Sequence, residues 1–427
     1  MTERELLTQI QKPLISWFEE NARVLPWREH PFPISGQAVG AERPEQPLSL
    51  VKLEHSEWTP GLAEQSYSEQ APGFARSERS ERAYKSVHPD RAYAVWVSEI
   101  MLQQTRVEAV KPYYLRFMDT LPDIRALAEC PEDALLKLWE GLGYYSRVRN
   151  MQKAARVVME QYEGRLPGKY EELLALPGIG SYTAGAIASI AYGQAVPAVD
   201  GNVLRVISRI TENAEDISKQ SVKKSTEDAL RAVMPQTCPG TFNQALMELG
   251  ALICVPNGAP LCENCPLCHL CKANLDGCQT AYPVKAAKKA RRVEERTVLV
   301  IRDSTHAAIG RRPAHGLLAG LYELPNYLGH LTQEEAAERV AGNGFSPLQV
   351  RPLPEAKHIF SHVEWHMSGY FVLVEDMEES RKKTEGDQLI FADLETIRNA
   401  YPIPSAFAAY QRYFSYAAFL DAFSGKR

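Results

Sequence analysis

Residues 176–209, LPGIGSYTAGAIASIAYGQAVPAVDGNVLRVISR, constrain the fold more tightly than any other stretch. Leu173, Leu174 and Leu176 close an apolar helix, and Pro177-Gly178-Ile179-Gly180 is a breaker cluster that no helix crosses. Ser181 is placed to cap a second helix of small and apolar residues reaching about Tyr192. Gly178 and Gly180, just ahead of that helix, let backbone amides face a bare anion such as a phosphate, with the helix dipole behind them. The apolar run Ala195, Val196, Pro197, Ala198, Val199 then delivers Asp200 into a half-buried position, where pKa values move. The plainer reading is a helix–turn–helix hairpin whose aspartate only caps the next helix.

A chain of 427 residues has room for two or three domains with their own cores. Its net charge of −5 gives no global support to nucleic-acid binding, so such a role must rest on a local basic surface. No apolar run approaches the length of a membrane span. The opening residues form a charged amphipathic helix without a signal-peptide core, which points to the cytoplasm. In that compartment the eight cysteines read as ligands rather than disulfides.

Along the chain, residues 6–24 read as the first helix, followed by Leu25-Pro26-Trp27-Arg28. Residues 31–88 turn to Glu, Ser, Pro, Gln and Gly without a period and read as a solvated or disordered insertion carrying no chemistry. From Tyr93 to Met118 a long helix is expected, with Glu99 set among Val95, Trp96, Ile100 and Met101. A glutamate in such company has a raised pKa and can hold a proton near neutrality; the plain alternative is a surface glutamate. Further helices are expected at 130–139 and 146–162, parted by a turn, residues 140–145, that offers Leu142 and Tyr144 at an exposed corner suited to wedging into a base stack. Beyond the helices of 212–250, Cys254, Cys262, Cys265, Cys268 and Cys271 form a dense thiol array, suited to zinc or to an iron–sulfur cluster. Cys238 and Cys278 have no assigned partner, and Cys130 reads as a helix or core cysteine. Lys285, Lys288, Lys289, Arg291, Arg292 and Arg296 make the one obvious basic stretch, fit for a phosphate backbone or for a solvated linker. From Thr297 the pattern turns to strands and closes with a helix at 405–423, an α+β domain.

Seven segments in this order, LPWR (25–28), VSEIMLQQTRV (97–107), WEGLGYYSRVRN (139–150), LPGIGSYTAGAIASIAYG, VDGNVLRV, the cysteine array and FSHVEW (360–365), resemble the adenine DNA glycosylases of the MutY type, in the helix–hairpin–helix superfamily. The resemblance spans the chain apart from residues 31–88. It implies a multidomain fold: a mainly α helix–hairpin–helix glycosylase domain (1–30 and 89–253), an iron–sulfur cluster loop (254–278), a basic connector (279–296) and a C-terminal α+β Nudix-like recognition domain (297–427). The implied activity is base-excision repair, removing adenine mispaired with 8-oxoguanine or guanine and leaving an abasic site. Glu99 would protonate the adenine, Asp200 would stabilise the oxocarbenium-like sugar, and Tyr182 and Asn202 would support them. Breaking such a bond wants one protonated and one ionised carboxyl flanking the sugar. Gln104 and Tyr144, with Leu142 alongside, would form the wedge, and Gly178 and Gly180 the phosphate grip. Arg23, Leu25, Trp27, Thr105 and Gln244 would complete the surface facing DNA and base.

Bifunctional relatives place a Schiff-base lysine where this chain has Tyr182, which implies a monofunctional hydrolase. Cys254, Cys262, Cys265 and Cys271 would hold a [4Fe–4S] cluster, leaving Cys268 over. In the C-terminal domain GLLAGLYELPN (316–326) is the Nudix-like piece, yet Glu334, Glu335 and Glu338 lack the order a magnesium-dependent hydrolase needs. Phe360, Ser361 and His362 match the loop that reads 8-oxoguanine. The implied partner is double-stranded DNA carrying an 8-oxoguanine:adenine pair, met by a monomer with no membrane contact, in the cytoplasm or on a bacterial nucleoid. The rival readings are a glycosylase/lyase of the same superfamily, a non-catalytic lesion binder with a structural metal, and a nucleotide pyrophosphohydrolase in the second domain.

Overall fold

A computed structural model describes residues 1–28, 91–286, 290–375 and 389–415. The expected insertion at 31–88, Lys288 and Lys289 of the basic stretch, and the expected C-terminal helix beyond residue 415 lie outside the described residues.

The helical part runs through α1 (Glu3–Gln9), α2 (Gln11–Asn21), α3 (Arg91–Leu102), α4 (Val107–Thr120), α5 (Ile124–Glu129), α6 (Glu132–Leu138), α7 (Ser146–Gln161), α8 (Tyr170–Leu174), α9 (Ser181–Tyr192), α10 (Gly201–Thr211), α11 (Gln220–Arg231), α12 (Pro239–Leu252) and α13 (Lys272–Leu275). Residues 92–101 of α3 are all buried, Ser98 and Glu99 included, where the sequence pattern gives a helix apolar on one side only. One core gathers Trp96, Phe117, Trp139, Val148, Leu173 and Ile187 around it. A second joins Leu6 and Leu14 to Val203, Ile207, Phe242 and Leu246, so the N-terminal helices pack on α12 from far away in sequence. Helix α9 bridges the two, lying against α3 and α12. Its small residues allow that approach: a Cβ on Gly185 would stand 2.2 Å from the carbonyl oxygen of Pro197, in the segment leading to Asp200.

The C-terminal part is one mixed sheet of seven strands among the described residues. Strands β1 (Arg292–Arg302) and β6 (Val363–Val374) pair in parallel from Arg292↔Val363 to Arg302↔Leu373. β5 (Pro347–Ile359) runs antiparallel to β6; β2 (His306–Arg311) and β4 (Asn326–Leu328) do so to β1; β3 (Tyr322–Glu323) and β7 (Leu389–Asp393) flank β2. One face is covered by α14 (Gln333–Gly342). The other is covered by α15 (Leu394–Ala400) and the segment around α16 (Ala408–Gln411).

Five expected elements differ. The first helix is broken at Ile10, since Pro13 has no N–H to give the Gln9 carbonyl. The long helix from Tyr93 stops at Leu102 and restarts at Val107, because Gln104 takes the left-handed conformation (φ +58°). The helix expected at 130–139 begins only at Glu132, behind Pro131. The basic connector ends early: Arg292 to Arg296 are already strand, paired with Val363 to Met367. The helix expected from Ser405 is a string of short turns, Ser405–Phe407, Ala408–Gln411 and Arg412–Phe414.

Gly185→Ala should lower stability by about 1–3 kcal/mol, the usual scale of overpacking a close helix contact. Chemical denaturation monitored by circular dichroism checks this, and an unchanged midpoint would show that the α9 approach tolerates a methyl.

Candidate active site

Glu99 lies on the inner face of α3 and is only 6% exposed. Burial pushes its carboxyl up to about 7; the Tyr182 hydroxyl, which donates to Glu99 Oε2, and the charge of Arg28 act downward, while Asp200 adds to the rise. Tyr182 stands in the first turn of α9, its hydroxyl also 3.8 Å from Met247 Sδ. Burial and the two acids keep that phenol well above its ordinary pKa. Asp200 is the N-cap of α10: its Oδ1 accepts from the Val203 N–H at 2.8 Å and its Oδ2 from Asn202 Nδ2 at 2.7 Å. Burial raises the Asp200 pKa, and those donors, with Arg205, oppose the rise. The capping that the plainer reading expected of Asp200 is therefore present, on a carboxyl whose pKa burial also raises. Glu99, Tyr182 and Asp200 feel one another's charge, so residues 101 positions apart form one group, Glu99 buried and the other two half-buried.

Around it stands a second buried acid that the sequence pattern did not single out. Glu248 on α12 takes Arg23 Nε at 2.7 Å and Arg23 Nη2 at 2.8 Å on its two oxygens, and Arg28 Nη2 at 3.1 Å. Burial alone would raise its pKa, but the two guanidiniums outweigh that and hold it down at about 2. Leu25 is buried, and Trp27 packs edge-on against Tyr114 at 5.3 Å. Gln244, also on α12, turns its amide back to the Gly240 carbonyl at 3.2 Å.

Arg205 and Arg147 were likewise missed. Arg205 donates to Asn202 Oδ1 (2.9 Å) and to the carbonyls of Gly250 and Cys254 (both 2.8 Å), tying the Asp200 turn to the cysteine loop. Arg147 donates to the carbonyls of Met101 and Gln103 at the end of α3 and to those of Leu142 and Gly143. It thereby joins the turn bearing Gln104 and Thr105 to the turn bearing Tyr144. Gln104 is exposed and Tyr144 is 51% exposed, both with positive φ; Leu142 is buried and unavailable as a wedge, because its side chain joins the helical core. In the hairpin Gly178 has φ +75°, and a Cβ there would lie 2.5 Å from Asn150 Cβ. Gly180, not Ser181, is the N-cap of α9; the Ser181 hydroxyl goes instead to Glu227 Oε1 at 2.8 Å.

The loop between β5 and β6 holds Phe360, its ring edge-on to His358 (4.6 Å) and to buried Trp365 (4.9 Å). Exposed Ser361 places its Oγ 3.2 Å from the Tyr144 hydroxyl, across the two domains. Arg291 Nε donates to the Phe360 carbonyl and the Arg292 backbone N–H to that of exposed His362, while the Arg292 side chain stays 73% exposed.

Cys254, Cys262, Cys265, Cys268 and Cys271 line one cavity with Arg209 and apolar walls. Among the described residues no three such side chains meet closely enough to hold a single ion; they surround a space. Arg209 Nη1 lies 3.1 Å from Cys254 Sγ, and burial pushes the Cys265 and Cys271 thiols up to about 12 and 11. A set of soft donors beside a guanidinium fits a thiolate-held, net anionic metal group. Cys278 lies apart, donating to Glu212 Oε1 at 3.0 Å. No described helix is long and apolar enough to cross a membrane.

Residues 97–232 match the model of the HhH-GPD superfamily base excision DNA repair proteins, and residues 297–412 that of the NUDIX domain. An adenine DNA glycosylase of Buchnera aphidicola (subsp. Baizongia pistaciae) is 32% identical over 66% of this chain and 79% of its own length. That of Rattus norvegicus is 36% identical over 67% of this chain and 65% of its own length. A thermostable thymine-DNA glycosylase of known structure is 22% identical, covers 64% of this chain and 98% of its own, and has a TM-score of 0.45. The chain spans 62% to 65% of the length of the rat, mouse and human relatives it matches. With a relative matched over most of its length, and a helix–hairpin–helix domain followed by a Nudix-like one, the chain belongs to the adenine DNA glycosylase family.

Proposed function

We propose that this protein is a monofunctional glycosylase that hydrolyses the N-glycosidic bond of adenine mispaired with 8-oxoguanine in duplex DNA, leaving an abasic site. The observation that carries the reading is the group of buried Glu99 with half-buried Tyr182 and Asp200, two carboxyls from distant segments with a phenol bonded to one of them. At a pKa of about 7, Glu99 is available as a neutral acid to protonate the base at N7. Asp200, supplied with donors from Val203 and Asn202, is the group to stay anionic beside the developing oxocarbenium ion. Tyr182 has no amine for a Schiff base, so once the C1′–N9 bond breaks and adenine departs, water adds to C1′ and the sugar remains in the strand as an abasic site.

The base must be turned out of the duplex to reach buried carboxyls. Gln104 and Tyr144, exposed on tight turns, are assigned the wedge, with Thr105 beside them. The amides around Gly178 and Gly180, at the head of α9, are assigned the phosphate grip. Arg23, Leu25, Trp27 and Gln244 border the base pocket, and Phe360, Ser361 and His362 read the lesion. Cys254, Cys262, Cys265 and Cys271 are assigned to a [4Fe–4S] cluster, with Cys268 facing the same cavity. When bound, the cluster supplies positive iron to the thiolates and so folds the loop onto α10, whose Arg205 and Arg209 are already joined to it. The protein would act as a monomer, in the cytoplasm or nucleoid.

Single-turnover excision from duplexes carrying adenine opposite 8-oxoguanine, guanine or thymine tests the reading. Release should be fastest opposite 8-oxoguanine, and Glu99→Gln should lose at least about 100-fold; unchanged excision in that variant removes Glu99 as the acid.

The pH profile is a separate test. Because the acid must be protonated, the rate should fall as pH rises through about 7. Tyr182→Phe removes the bond that holds the Glu99 pKa down, so this limb should move to higher pH; a shift downward would contradict the assigned contact.

Iron and inorganic sulfide in equal number, with a visible charge-transfer band, are expected of the purified protein. A colourless protein with stoichiometric zinc would overturn the cluster.

A further inference from the structure

The two domains meet along α6 and the turn after it. Leu321, from the loop before β3, is wholly buried in the helical core, and Leu318 packs against both cores. Apolar contact of this kind holds surfaces together without fixing their angle. Direction comes from polar groups beside it. Asp133 accepts from the Tyr322 hydroxyl at 3.2 Å and pairs with Arg311 at 3.4 Å. One turn on, Lys137 donates to the Tyr401 carbonyl at 3.1 Å, Glu140 accepts the Ile403 N–H at 2.9 Å, and the two side chains pair with each other at 2.6 Å. Between the two gripped residues, the Pro402 carbonyl takes the Tyr322 N–H, which binds this strip of backbone to β3. Opposite charges on one helical turn thus clamp the C-terminal sheet. Glu140 stands four residues before Tyr144, whose hydroxyl meets Ser361 of the other domain.

We propose that the Lys137–Glu140 pair positions the lesion-reading loop: it fixes the C-terminal domain against α6 so that residues 360–362 stay in register with Tyr144, and Glu140 thereby sets the preference for 8-oxoguanine without touching DNA. This rests on the functional reading above. Small displacements suffice, since about 1 Å of misplacement can cost about 100-fold in rate. Glu140 and Lys137 serve no catalytic group, so the chemical step itself should be indifferent to them.

Single-turnover excision by Glu140→Ala, Glu140→Gln and Lys137→Ala, on duplexes with adenine opposite 8-oxoguanine or guanine, tests the proposal, with hydrogen–deuterium exchange on the DNA-free proteins beside it. Glu140→Ala should slow the 8-oxoguanine duplex by about tenfold, the scale of one lost bond to a charged group, and leave the guanine duplex unchanged. Glu140→Gln keeps an oxygen for the Ile403 N–H and should recover part of the difference. Exchange should quicken at Ile403 and in residues 359–363 together. Equal losses on both duplexes, or quicker exchange at Ile403 with an unchanged rate ratio, would overturn the proposal. Should the wild type not distinguish the duplexes, the functional reading fails on its own. The exchange data then decide the clamp: quickening at Ile403 without the reading loop refutes it.

Discussion

The desolvated carboxyl of Glu99 is the constraint on which the rest of the site depends. A carboxylate held in an apolar core is unfavourable, so the group moves toward the neutral form unless donors or cations meet it. Two buried glutamates in this molecule show the two outcomes. Glu99 receives one phenolic hydrogen bond and a distant guanidinium, and its pKa lies at about 7. Glu248 receives a forked bond from Arg23 and another from Arg28, and its pKa lies at about 2. The same residue type is made an acid in one place and a fixed anion in the other by the number of cations in contact. Arg28 touches Glu248 and acts on Glu99, so the anion holds the arginine that trims the acid.

The architecture follows from keeping that carboxyl dry. Glu99 needs α3 to be buried on all sides, which needs helices from both directions of the chain. Helix α9 supplies one wall and brings Tyr182; its glycine lets the 197–199 segment pass close enough to deliver Asp200. Capping α10 with Asp200 gives that acid donors at no cost in extra residues, because a helix N-terminus has unpaired N–H groups anyway.

The hydrophobic pattern made much of this legible. Glu99 among large apolar residues read as an acid of raised pKa, with a surface glutamate as the alternative, Asp200 after an apolar run read as half-buried, and the strands after Thr297 read as strands. What escaped were side chains whose partners are brought to them by packing. Arg147, Arg205 and Glu248 sit in helices as ordinary polar letters, and no periodicity reveals a carbonyl or guanidinium brought beside them by packing. Leu142 and Ser181 failed for a related reason. A turn exposes some residues and tucks others under, and a hydroxyl at a helix start can find a better partner than the backbone, here Glu227. The resemblance carried Tyr182, which composition alone does not distinguish from any helical tyrosine.

Arg147 shows what such hidden partners do. Gln104 and Tyr144 hold left-handed backbone conformations, each unfavourable for a residue with a Cβ by about 1 kcal/mol. Both turns also leave carbonyls at the end of α3 and after Trp139 without helical partners. One guanidinium, with five donors in a fixed fork, answers these carbonyls on both sides. The conformational cost of the two exposed side chains is thereby offset within the protein, before any DNA arrives. Two exposed side chains on separate turns are thereby joined into a single fixture, its spacing set by an arginine between them.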